Sequence, residues 1–172
     1  AQDLTDPHEP AAQRKAVLWC AVAGAAQIGL AAFPVDLLAA LGYPFILPAV
    51  ALLHARAESH RRSGAVLATI TGTAAVIVGI GASTAVPLRP AALVLLGMWW
   101  WTLGKMGVET GILPRRFSMR TAALGALVIV GAALVSLGDR LVLVSGDLGL
   151  FDAAHLALGA WLLALAAVFA RR

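Results

Sequence analysis

LLGMWWWTLGKMGVETGILPRRF, residues 95–117, runs from an apolar stretch through three consecutive tryptophans to a lysine, a glutamate, a Gly-Ile-Leu-Pro exit and two arginines. That order marks a helix leaving a bilayer. Amphipathic indoles sit at headgroup level, a lysine snorkels past them, and cations anchor the cytoplasmic end. The rest of the chain agrees: of 172 residues, 60% are hydrophobic and 13% charged, and the mean hydropathy is +0.87. An average soluble domain carries roughly 25% charged residues. The expected fold is therefore all-α, a polytopic integral membrane bundle.

Apolar runs bounded by charge or proline fall at roughly 16–33, 37–55, 64–84, 88–107, 121–137 and 153–170. Each is close to the roughly 20 residues that a bilayer core of about 30 Å demands. Six transmembrane helices are expected over residues 16–172, preceded by a polar N-terminal arm, residues 1–15 (AQDLTDPHEPAAQRK). The run Ala16–Phe33 is long enough to span, so it reads as the first helix and not as the apolar region of a secretory leader.

With the N-terminus in the cytoplasm, the inner segments hold ten basic residues: Arg14, Lys15, Arg56, Arg61, Arg62, Arg115, Arg116, Arg120, Arg171 and Arg172. The outer loops hold two, Arg89 and Arg140, and Lys105 lies at a helix end. This asymmetry predicts that both termini are cytoplasmic, in a multi-pass protein of the bacterial cytoplasmic (inner) membrane. The sequence pI near 10.2 has the same origin. Its cations are scattered between apolar runs and form no nucleic-acid surface.

Neighbouring residues on a helix point about 100° apart, so Trp99, Trp100 and Trp101 fan around the axis and cannot share one pocket. Trp101, Lys105 and Glu109, spaced four apart, do share a stripe. That stripe permits a cation–π contact and a Lys105–Glu109 ion pair. It reads either as an interfacial anchor or as the lining of a cavity or subunit contact. In the second helix Pro44 and Pro48 stand one turn apart, and each removes a helical hydrogen bond. The expected kink is either purely structural or opens a small-ligand pocket lined by Gln27 and Tyr43 beside Pro44 and Pro48, with Thr84 as a further polar neighbour.

Several chemistries are excluded. Cys20 is the only cysteine, so no disulfide, dithiol or cysteine-based metal site is available. His54 and His155 are expected at opposite ends of the bilayer, about 30 Å apart, too far to ligate one haem. His54, Glu58 and His60 lie on one short connection without a fourth ligand. No metal or cofactor is expected. No carboxylate sits at the centre of any span, which argues against a proton- or sodium-coupled pump. Phosphate-loop, dinucleotide-binding, H-E-x-x-H and nucleophile-elbow motifs are absent, so no enzymatic activity is expected. Thr69, Thr71 and Thr73 are expected to bond to carbonyls of their own helix. Asp36 and Asp152 read as N-caps.

Small residues recur at four-residue spacing as Ala21, Ala25 and Gly29 in the first helix and as Ala75, Gly79 and Ser83 in the third. Such rows let helix backbones approach closely. In size, helix count and the Ala21–Ala25 spacing the chain resembles the substrate-binding components of energy-coupling-factor vitamin transporters. In those proteins such a row docks another membrane subunit. No vitamin-site motif accompanies the likeness. The exit GILPRRF is similar to the G-x-L-P-R turn of uncharacterised bacterial six-helix proteins. Two functions are therefore expected of this chain. The first is a non-enzymatic accessory or scaffolding subunit of a larger bacterial membrane complex, partnered by lipid and by other membrane subunits. The alternative is a small-molecule-binding or transport component.

Overall fold

The computed structural model describes residues 9–32, 42–141 and 149–171. These residues form six α-helices: α1 (Glu9–Ala32), α2 (Leu47–Glu58), α3 (Arg62–Thr84), α4 (Arg89–Thr110), α5 (Arg115–Leu141) and α6 (Gly149–Ala170). Single 3-10 turns, Pro44–Ile46 and Val86–Leu88, lead into α2 and α4. Four segments are long and apolar enough to cross a membrane: Arg62–Thr84, Val86–Thr110, Arg115–Leu137 and Leu150–Ala170. The described residues thus form an all-helical bundle with four candidate membrane-spanning helices.

Element ends follow local chemistry. Gly111 adopts a left-handed conformation (φ 71°) and its N–H donates to the Gly107 carbonyl, 3.1 Å, which closes α4. Glycine takes that conformation without the Cβ penalty. After Pro114 nothing interrupts the next helix, so α5 runs from Arg115 to Leu141, beyond the expected 121–137 at both ends.

At Pro44 and Pro48 the regular α-helix is interrupted: Gly42 is helical, Tyr43 keeps helical backbone angles, and Pro44–Ile46 tighten into a 3-10 turn that leads into α2. Pro48 falls in the first turn of α2, and each proline withholds one N–H from the helical ladder. α2 is thus 12 residues long, about 18 Å. Residues 37–41 of the expected second span lie outside the described residues, as does Asp36. Glu9–Lys15, which composition assigns to the arm, belong to α1. Helix α6 begins at Gly149, so Asp152 stands in its first turn and not at the N-cap.

Two helix pairs meet backbone to backbone. In α4 and α5, a Cβ added at Gly125 would lie 2.6 Å from the Gly97 carbonyl oxygen and 2.9 Å from Trp101 Cα. In α1 and α6, a Cβ added at Gly24 would lie 2.9 Å from the Gly159 oxygen, and one at Gly159 2.7 Å from the Gly24 oxygen. Only glycine permits these approaches, and they maximise dispersion where lipid offers no hydrophobic drive.

The interior between the pairs is filled by large side chains. Trp161 of α6 packs against Trp99 and Trp100 of α4 and Phe117 of α5, with ring centroids 5.4, 5.9 and 5.9 Å away. Its indole N–H donates to Thr121 Oγ1, 2.8 Å, and the Thr121 hydroxyl donates to the Phe117 carbonyl, 3.0 Å. That chain of bonds satisfies a buried donor inside an apolar core.

The bundle has two distinct ends. At one, the Gln13 amide donates to the Phe169 carbonyl, 2.6 Å, while the Arg56 guanidinium lies 4.8 Å from the Phe169 ring centroid. The start of α1 therefore meets the end of α6. Arg61 and Glu109 pair at the same end. The other end carries Tyr43, Arg89 and the first turns of α6.

Candidate functional site

At that second end, Tyr43 precedes the Pro44–Ile46 turn, and the turn directs its ring into the bundle. The ring rests on α3 where Gly79 has no side chain; a Cβ there would collide with the tyrosine ring. The Tyr43 hydroxyl meets His155 Nε2 of α6 at 2.7 Å, and both residues are buried. His155 Nδ1 lies 2.8 Å from the Phe151 carbonyl. A carbonyl only accepts, so Nδ1 carries the proton, and in the neutral ring Nε2 is left to accept from the Tyr43 hydroxyl. The Phe151 ring lies edge-on to the imidazole, 4.3 Å between centroids, and the Arg89 guanidinium lies 5.0 Å from the Phe151 ring centroid.

Tyr43 and His155 line a chamber walled by apolar side chains of α3, α4 and α6, among them Val76, Leu96, Trp99 and Leu158. The centre of a water-sized sphere can move through about 20 Å³ of it, where a single water needs about 10–15 Å³. The phenol–imidazole pair is thus a polar fixture in a space of about one to two waters. It can hold a small hydrogen-bonding molecule on the remaining lone pairs of the Tyr43 oxygen. No known protein-family model matches this chain, and no similar curated protein or solved structure is found.

Of the expected pocket residues, only Tyr43 lines the chamber. Gln27 is fully buried on α1, with neither amide atom hydrogen-bonded among the described residues, and its Nε2 faces Gly42. Pro44 is exposed, Pro48 half-buried, and Thr84 exposed. His155 carries no local signal of the site, because its partner lies 112 residues away. Only the helix packing reveals it.

The Trp101 stripe divides. Lys105 Nζ stands 5.5 Å from the Trp101 ring centroid, and both side chains are exposed. Glu109 instead pairs with Arg61, from the start of α3. Trp99 and Trp100, by contrast, are buried against Trp161. The Trp101–Lys105 contact is the form an interfacial anchor takes.

The row Ala75, Gly79, Ser83 faces inward, with Ala75 and Gly79 buried and Ser83 half-buried. In α1 the inward contact runs instead through Cys20, Ala23, Gly24 and Gln27, all buried; Ala21 and Gly29 are half-buried and Ala25 is exposed. The hydroxyls of Thr69 and Thr71 donate to the Ala65 and Leu67 carbonyls, 2.8 and 2.9 Å. With its own proton so used, Thr69 Oγ1 accepts from His54 Nδ1, 2.8 Å, and His54 Nε2 lies 3.7 Å from Glu58. His60 Nδ1 is turned to the Arg56 carbonyl, 3.2 Å, and to Ser59.

Proposed function

We propose that the protein is a non-enzymatic accessory subunit of a larger bacterial membrane complex, crossing the cytoplasmic membrane six times with both termini inside. The observation that carries the docking role is the outward placement of Ala25 in the row Ala21, Ala25, Gly29, while α1 uses Gly24 for its contact within the chain. A helix face against lipid gains from large apolar side chains, whereas a row of small ones gains only when another helix packs on it. The topology is supported by the meeting of Gln13 with Phe169 and by the ten-to-two distribution of basic residues. α1, 24 residues long, is about 36 Å, and α2 extended by its 3-10 turn is about 24 Å.

Co-purification from mild detergent tests the docking role. The wild-type chain should carry a membrane partner in fixed stoichiometry, and Ala25→Leu should lose it while remaining folded. A strictly monomeric wild-type protein, or an Ala25→Leu variant that keeps its partner, sinks the proposal. Topology is tested separately by labelling Ser59→Cys and Thr84→Cys with an impermeant maleimide in intact cells. Only the cysteine at residue 84 should react from outside.

The alternative, a small-molecule-binding component, is favoured by the Tyr43–His155 pair on the chamber. About 20 Å³ suits a molecule near the size of water and not a vitamin. Native mass spectrometry showing a larger retained ligand would favour this second reading over the first.

A further inference from the structure

Helix α5 carries two opposed rows. Ser118, Thr121, Gly125, Val128 and Ala132 are buried. On the other side Arg116, Arg120, Leu127, Val130, Leu134 and Leu137 are exposed, the four apolar ones at 67, 55, 63 and 57%. Ala123 completes the outer row, and its spacing of four and three residues keeps it on one face. The row is cationic at one end and apolar along the rest.

We propose that this face binds one anionic phospholipid, its phosphate held by Arg116 and Arg120 and an acyl chain lying over Leu127 and Val130. The two arginines are one turn apart, about 6 Å, within reach of one phosphate. Neither forms an ion pair with a carboxylate among the described residues. From Arg120 to Val130 the helix rises about 15 Å, the depth of one leaflet's hydrocarbon. Charge selects the occupant. A second copy packed about a two-fold axis on this face would set arginine against arginine, whereas a phosphodiester offers each guanidinium a pair of acceptor oxygens. The proposal rests on α5 crossing a membrane and is independent of docking through α1.

The test uses the full chain, delipidated in mild detergent and titrated with phosphatidylglycerol or phosphatidylcholine of identical acyl chains, read by native mass spectrometry and by the thermal midpoint. Wild type should retain phosphatidylglycerol about tenfold more strongly than phosphatidylcholine and gain several degrees from it. Arg116→Gln/Arg120→Gln should abolish that preference. Arg14→Gln/Lys15→Gln, which removes the same charge at the same end of the bundle, should keep it. Equal losses in both double variants would reduce the effect to diffuse charge and overturn the proposal; so would equal retention of the two lipids by wild type, or dimerisation on this face in place of lipid binding. If the glutamine variant fails to fold, Arg116→Lys/Arg120→Lys serves in its place. It keeps the charge without the planar fork, so its preference should fall several-fold, and an undiminished preference overturns the proposal equally.

Discussion

Replacing Gly125 by alanine probes the α4–α5 contact, and Gly131→Ala on the same helix supplies the control. Both substitutions remove the same backbone freedom, which favours the helix by about 0.5–1 kcal/mol. Their surroundings differ. At Gly131 the new methyl meets only the end of the Leu150 side chain, at 3.3 Å, which can yield. At Gly125 it stands 2.6 Å from the Gly97 oxygen and 2.9 Å from Trp101 Cα, both in the backbone of α4. Backbone cannot rotate away, so the two helices must part by roughly 0.8 Å at this level, a gap that forfeits a quarter to a half of each dispersion contact. With about 40 atom pairs at about 0.15 kcal/mol each, the loss is about 2 kcal/mol, within the range for overpacking. Reversible unfolding in mixed detergent–SDS micelles should place Gly125→Ala about 2 kcal/mol below Gly131→Ala. Equal stabilities would mean that the helices do not touch there, and the account of α4–α5 packing would fall.

Three further outcomes follow from named contacts. Gly79→Ala should cost about 1–3 kcal/mol in the wild-type chain, by pushing a methyl into the Tyr43 ring, and be near neutral in a Tyr43→Ala background; the same unfolding assay on all four species checks it, and equal costs would place the ring elsewhere. Trp161→Phe removes the indole donor to Thr121, so it should cost about 1–2 kcal/mol for the bond beyond any loss of volume, and much of that bond term should vanish when Thr121 is already valine. The Arg61–Glu109 pair is about half exposed, so a double-mutant cycle should give at most about 1 kcal/mol, declining with added salt. A cycle on Lys105 and Glu109 should give nothing measurable.

The sequence makes legible what one helix does alone. Gly111 and Pro114 carry their own stop signals, and Lys105 finds Trp101 because both hang from one helix at four-residue spacing. Glu109 shows the boundary of that reasoning. Helical spacing offers it Lys105, yet Arg61 reaches it because the antiparallel α3–α4 hairpin brings the start of one helix to the end of the other. The prolines show a second boundary. Two prolines one turn apart break the helical hydrogen-bond ladder, and the break is taken up as the 3-10 turn Pro44–Ile46 between helical Gly42 and α2, a geometry that spacing alone does not specify. Tyr43 is legible as a polar residue beside the prolines, but its pairing with His155, in the helix that closes the bundle, is beyond any local rule.

Helix α1 carries the same difficulty into function. Two rows, one through Cys20, Gly24 and Gln27 and one through Ala21, Ala25 and Gly29, differ by about 100° on the helix, and both are rich in small residues. Spacing alone cannot decide which faces α6. The structure assigns that contact to Gly24, because the opposing residue is Gly159 and the two backbones touch only where both lack a side chain. That assignment leaves Ala25 exposed while Ala21 still packs against the core, and an exposed small residue on a membrane helix has a physical consequence. Lipid chains pack on Ala25 no better than on leucine, so Ala25→Leu should leave the isolated bundle as stable as before. If the bundle itself were destabilised, Ala25 would be serving the chain's own packing, and the docking role proposed for α1 would lose its basis.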